Sequence, residues 1–275
     1  MRYVGIEGSD RTAAPATWLR VLESRAAFEL GAAVAAAPWL RLIGRGDRHP
    51  VLVLPGFLAA DPSTVPLRSI LRGQGYWVHG WRLGSNLGPT AHIVEGLVER
   101  LTQLYERHDA PVSLIGWSLG GIYARRLARE FAPMVRQVIT LGSPFRLRRY
   151  DRSAASAMFE RLRPLHLVRA EEQAGSASAP LPVPTTAIYT RTDGVVRWWQ
   201  CIEDVGPGRE NIEVYGSHSG LGFNPAVIYA VSDRLAQAPG EWRPFRAPMG
   251  AGRCFPVPVE RYVDRMAADL AADAS

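Results

Sequence analysis

The chain has 275 residues, 47% of them hydrophobic and 21% charged, a balance that suits a globular protein and excludes a disordered one. Its formal net charge is +6, from 32 basic and 26 acidic residues, and every basic residue is an arginine. Without lysine there is no Schiff base, no phosphate-loop lysine and no Ser-Lys dyad, and arginines scattered among acids give no nucleic-acid-binding module, so no nucleic-acid partner is expected.

The two cysteines, Cys201 and Cys254, have neither metal-ligand nor CxxC spacing, so no metal site is expected; two thiols and one disulfide both remain open. The first ten residues lack the basic-then-apolar build of a signal peptide, and the expectation is a cytoplasmic protein. Nothing in the composition sets an oligomeric state.

Residues 13–42 read as helical, with Leu19, Leu22, Ala26 and Leu30 at helical spacing and Arg20, Glu23, Arg25 and Glu29 between them. The apolar stretch 30–40, broken by Pro38, is too short to span a bilayer, for which ~20 residues are needed. It is expected to dock on the domain, with a peripheral membrane contact as the alternative. From residue 51 strands and helices alternate: strands at 51–54, 76–83, 112–116, 135–141, 186–190 and 212–215, helices at 90–108, 118–131 and 225–237. Such alternation predicts an α/β fold with a mostly parallel sheet and helices on both faces. The stretch 144–184 interrupts it with a helical piece at 154–167 and a return rich in Ala, Ser and Pro. One domain is expected: a helical extension at 1–46, a core at 47–143 and 185–240, an insertion at 144–184 and a C-terminal segment at 241–275.

Gly116-Trp117-Ser118-Leu119-Gly120 fits G-x-S-x-G. The pattern is short, but here it follows a buried strand and opens a helix, the sharp turn that lifts a serine hydroxyl above the strand ends. A serine hydroxyl is a weak nucleophile at neutral pH, so it needs an imidazole to take its proton and an acid to fix the imidazole tautomer. Asp193 follows the strand at 186–190, and His218 follows the strand at 212–215, which places both at the sheet edge that carries Ser118. The other histidines lie before the serine or in the insertion; Asp204 is the rival acid, without a clear strand before it. An oxyanion hole needs two backbone N–H groups. Leu119 supplies one, and the loop Leu54-Pro55-Gly56-Phe57-Leu58 the other, from Phe57 or, next in line, Leu58.

Taken together, residues 51–58, 116–121, 193–194 and 217–222 resemble the lipase and esterase branch of the α/β-hydrolase superfamily, over about residues 47–237. The resemblance implies a serine hydrolase that cleaves a small-molecule or lipid carboxylic ester through a covalent acyl-enzyme, with no cofactor and no metal. It implies a lid at 144–184, where Arg146, Arg148, Arg149 and Arg152 either draw anionic substrates or form a solvated face. It also implies a sheet reduced at its start, the helical extension standing in place of the first strands. One departure is Pro55-Gly56, where many relatives have His-Gly. Acyltransferase, thioesterase and perhydrolase activities would use the same triad, and a non-catalytic binding member of the fold is a further alternative. Trp117, and Trp81 with the loop 84–89, are either acyl-pocket walls or core.

Overall fold

The computed structural model describes residues 13–43, 46–147, 151–167, 178–204 and 206–256. Among them six strands form one parallel sheet in the order β2-β1-β3-β4-β5-β6: β1 (Pro50–Leu54), β2 (Trp77–Gly80), β3 (Val112–Trp117), β4 (Val135–Leu141), β5 (Thr185–Tyr189) and β6 (Arg209–Glu213). Every residue of β1, β3 and β5 is buried, because helices cover both faces, and this is why β1 reads as a continuous apolar run at 51–54.

The period of two divides the core between the faces. Val51 and Val53 pack with Leu40, Leu67, Ile70 and Val227, from α2 (Ala26–Leu40), α3 (Val65–Gly73) and α7 (Pro225–Leu235). Leu52 and Leu54 pack with Ile93, Leu97, Tyr123 and Leu127, from α4 (Ala91–His108) and α5 (Leu119–Glu130). Each such leucine, taken wholly out of water, contributes about 1.5–3 kcal/mol. Helix starts are set locally: Thr90 caps α4 through Ile93 N–H, and Asn224 caps α7 through the N–H groups of Ala226 and Val227, with Pro225 in the first turn.

The chain runs outward from β1 to β2, then returns past β1 to β3 and continues to β6. Strand order therefore reverses between β1 and β3, and the crevice above their carboxyl ends is where an open parallel sheet can hold a ligand.

Several expectations are corrected. The N-terminal segment is two helices, α1 (Thr17–Val21) and α2, joined by a 3-10 turn (Leu22–Arg25), and α2 runs through Pro38 to Leu40. Proline removes one donor near the helix end, and only one more turn's worth of bonding is at stake there. The expected inward stripe does not form: Leu30 is exposed, Leu19, Leu22 and Ala26 are half-buried, and Ala33 and Leu40 are the buried contacts. Helix α3 was not anticipated, being only nine residues long, with Pro66 in the first turn and Gly73 at the end. The strand expected at 76–83 ends at Gly80, and that expected at 212–215 covers Arg209–Glu213. Cys201, buried, and Cys254, exposed, are both free thiols. No helix among the described residues is long and apolar enough to cross a membrane.

Candidate active site

The turn from β3 into α5 is built from glycine and strain. Ser118 lies at φ 52°, ψ −121°, in a region that L-residues avoid, with its N–H donating to Leu141 O at 2.8 Å. Closeness explains the flanking glycines: a Cβ on Gly116 would lie 2.3 Å from Gly121 Cα, and one on Gly120 would lie 2.4 Å from Leu54 O. Ser118 stays half-buried at the mouth of the crevice, and a Cβ on Gly56 would sit 3.3 Å from its Cβ, so the loop after β1 crosses directly over it.

Asp193, after β5, and His218, after β6, are both buried, with Asp193 Oδ2 2.6 Å from His218 Nδ1. The other carboxylate oxygen, Oδ1, accepts the N–H groups of Val195 and Val196, each at 2.8 Å, and this fixes the acid in its turn. With a carboxylate facing Nδ1, that nitrogen holds the proton and Nε2 is left as a base. Burial pulls the imidazole pKa down, but Asp193 and, behind it, the Glu23 carboxylate more than offset this and hold it above the ordinary value. Gly142, at φ 54°, leaves room for the ring: its Cβ would lie 3.1 Å from His218 Nδ1. Among the described residues no hydrogen bond joins Ser118 Oγ to His218 Nε2. The rival acid, Asp204, is paired instead with Arg146.

Among the described residues the N–H groups of Phe57 and Leu119 donate to no protein acceptor, whereas the N–H of Leu58 donates to Asn86 O at 2.8 Å. Leu58 is thereby removed as a donor. Above this loop, α6 (Ser156–Leu162) places the Phe159 ring 5.4 Å from that of Phe57, and His166 Nε2 meets Leu87 O at 2.9 Å.

No family model matches the chain, and no curated protein matches it. Among solved structures, lipase B of Aspergillus fumigatus superposes with a TM-score of 0.54 at 17% identity, over 72% of this chain and 55% of that one. One of LipS and LipT, two metagenome-derived lipolytic enzymes, superposes with a TM-score of 0.54 at 18% identity, over 70% of this chain and 93% of that one. The chain has the α/β-hydrolase fold.

Within the α/β-hydrolase fold found here, a second Ser-His-Asp constellation needs to be told from the first. Asp47 contacts His49 Nδ1, and His49 Nε2 lies 2.9 Å from Ser113 Oγ. It stands at the opposite, amino-terminal end of β1 and β3, and Ser113 is 0% exposed near the start of β3. No substrate carbonyl can reach that hydroxyl, and Gln137 Nε2 donates to it as well, so the cluster ties strand starts together.

Trp81 and Trp117 belong to the core. Trp81 is fully buried and donates to Gly84 O; Trp117 packs edge-on against Phe223 and donates to His218 O at 3.1 Å. Of the arginines expected near a lid, Arg146 is held by Asp204 and Ile202 O, Arg152 is exposed, and Arg148 and Arg149 lie outside the described residues.

Sequence reasoning missed two supports. Asn86, fully buried, donates Nδ2 to Pro55 O at 2.9 Å and accepts Gly88 N–H and Tyr123 Oη–H at 3.3 Å each, anchoring the loop that carries Phe57. The Asn in Gly84-Ser85-Asn86-Leu87-Gly88 was a visible turn signal whose partners were not. The other is the polar side of the N-terminal helices: Glu23, Arg25 and Glu29 turn inward onto the loops that carry Asp193 and His218.

Proposed function

We propose that the chain is a serine hydrolase of carboxylic esters with Ser118 as nucleophile, His218 as general base and Asp193 as the acid that orients it. One observation supports this most: a strained, half-buried serine opens onto the same sheet edge as a buried Asp-His pair at 2.6 Å and two uncommitted N–H groups.

In this reading an ester enters above β1 and β3, and the Ser118–His218 contact closes in the Michaelis complex, as catalytic hydrogen bonds commonly do. His218 Nε2 takes the Ser118 proton while Oγ attacks the carbonyl carbon. The N–H groups of Phe57 and Leu119 hold the oxyanion, a donor being worth about 10²–10³ in kcat. Collapse breaks the ester bond, and the imidazolium returns the proton to the departing alcohol. Water, deprotonated by His218, then attacks the acyl-enzyme and releases the acid and free Ser118. The rings of Phe57 and Phe159, 5.4 Å apart beside the loop over Ser118, favour an apolar acyl group.

Hydrolysis of p-nitrophenyl esters from two to sixteen carbons, by wild type and Ser118→Ala, tests the reading together with fluorophosphonate labelling. The expected result is turnover and labelling that both vanish in the variant. Labelling without turnover of any ester would redirect the assignment to acyl transfer or thioester cleavage, and no labelling would end the nucleophile assignment.

A further inference from the structure

The helices ahead of β1 are inverted. Ala33 and Leu40 dock on the core, but Phe28 is 82% and Trp18 and Trp39 each 62% exposed, while the carboxylates of Glu23 and Glu29 face the protein. Glu23 Oε1 accepts Gly194 N–H at 2.8 Å and His218 N–H at 3.0 Å, and Oε2 accepts Ser219 N–H at 2.8 Å. One carboxylate thus bonds the residue after Asp193, His218 itself and the residue after it. Glu29 reinforces the same edge, accepting Ser217 N–H and Oγ–H at 2.8 Å each and Asn224 Nδ2–H at 3.0 Å. Arg25 donates to Thr192 O at 3.3 Å and Gly216 O at 3.2 Å, closing the gap between the two loops from the other side. The fit leaves no slack: a Cβ on Gly194 would lie 2.4 Å from Leu19 O.

Drawing a carboxylate out of water is costly unless its oxygens are fully paired, and three backbone N–H groups from two separate loops do the pairing. We propose that Glu23 is a positioning residue of the active site, a bridge that sets the distance between the Asp193 and His218 loops and so the place of the imidazole above Ser118. The inference rests on the triad reading proposed above. Burial would raise the Glu23 carboxyl, yet the donors at Ser219, Gly194 and His218 hold it below the ordinary range, so it stays ionised. The charged and titratable groups around the His218 loop are Asp193, Glu23, Glu29 and Arg25, with the neutral thiol of Cys201 behind Asp193.

Glu23→Gln keeps the size of the side chain but removes the charge and aims an NH2 group at backbone donors. The prediction is a fall in kcat of about 10²-fold with KM within about twofold, the scale of a roughly 1 Å misplacement of a reacting group. The second readout needs no turnover: in a Ser118→Ala background the His218 imidazole is titrated by NMR, and its midpoint moves to lower pH in Glu23→Gln. A folded Glu23→Gln protein with wild-type kcat and an unmoved His218 midpoint overturns the proposal, even if its melting temperature drops, since that is the mark of a purely structural contact. Should Glu23→Gln not fold, Glu23→Asp takes its place, keeping the charge but shortening the reach; a lowered kcat with a near-wild-type midpoint supports the bridge, and an unchanged kcat overturns it. If wild type cleaves no ester, the titration still decides whether Glu23 acts on His218, so the two readings fail separately.

Discussion

Asn86→Ala tests how the loop over Ser118 is held. Truncation removes three side-chain hydrogen bonds, to Pro55 O, Gly88 N–H and Tyr123 Oη, in a site with no access to water. At roughly 1 kcal/mol for each bond, with some further cost for stranding a buried carbonyl, the loss is about 3–4 kcal/mol. For a chain of this size that corresponds to a fall in melting temperature of about 6–15 °C. Pro55 stands two residues before Phe57, so its carbonyl tethers the incoming side of the loop whose N–H is assigned to the oxyanion; releasing it should lower kcat by about 10²-fold. Differential scanning calorimetry and p-nitrophenyl butyrate kinetics read the two effects in one preparation, with Tyr123→Phe, which removes only the 3.3 Å bond, as a control worth under ~1 kcal/mol. An Asn86→Ala protein that melts within ~2 °C of wild type and turns over at wild-type rate would refute both the energy count and the tether.

Asp193→Asn should fold and yet lose about 10⁴ in kcat. Its single carbonyl oxygen is claimed by the N–H groups of Val195 and Val196, which turns the NH2 toward His218 Nδ1 and drives the ring proton to Nε2, the wrong tautomer. A loss below tenfold would contradict this. Ser113→Ala should leave labelling and kcat unchanged, because the hydroxyl is fully buried at the far end of the sheet; lost labelling would reassign the nucleophile. The acid limb of kcat/KM should have its midpoint above 6.5, because the raised His218 pKa keeps the base protonated until higher pH, and a midpoint below 6.5 counts against the Asp193 and Glu23 charges. Stability should respond oppositely at His79, where burial, then Arg100 and His108, lower the pKa to about 4 from 6.5. The unfolded chain binds the proton first, so stability falls as pH drops from 6.5 toward about 4, and chemical denaturation across that window should show a declining free energy. His79→Gln should flatten that decline.

What the sequence made legible follows from locality. The strands β1, β3, β4 and β5 are short stretches rich in β-branched and apolar residues with glycine or proline near their ends, and the Ser118 elbow is a strand, a glycine turn and a helix in immediate succession, so each is encoded within about ten residues. Asp193 and His218 were found because each stands at a strand end whose position the alternation dictates. The N-terminal helices were misread because periodicity assumes that apolar side chains face inward. Here Glu23, Arg25 and Glu29 face inward besides Ala33 and Leu40, and their partners lie 167 to 196 residues away and are mostly backbone atoms without a residue-type signature. Asn86 escaped notice for the same reason: an asparagine among glycines reads as a turn, and only the folded chain shows that its amide reaches Pro55 O.

The inverted helices also impose an order on synthesis. Residues 17–40 leave the ribosome before the loops at 192–219 that Glu23, Arg25 and Glu29 grip, across separations of up to 196 residues. At translation rates of ~5–20 residues per second, those carboxylates wait about 10–40 s for their donors, while Trp18, Phe28 and Trp39 stand in water beside them. Later in that interval, once β4 has emerged, β1 and β3 can pair and Ser118 can occupy its turn with its N–H on Leu141 O. The edge that carries Asp193 and His218 closes only when the last strand has emerged, so a nascent chain can hold an assembled Ser118 turn well before it holds the histidine that the proposed reading pairs with it.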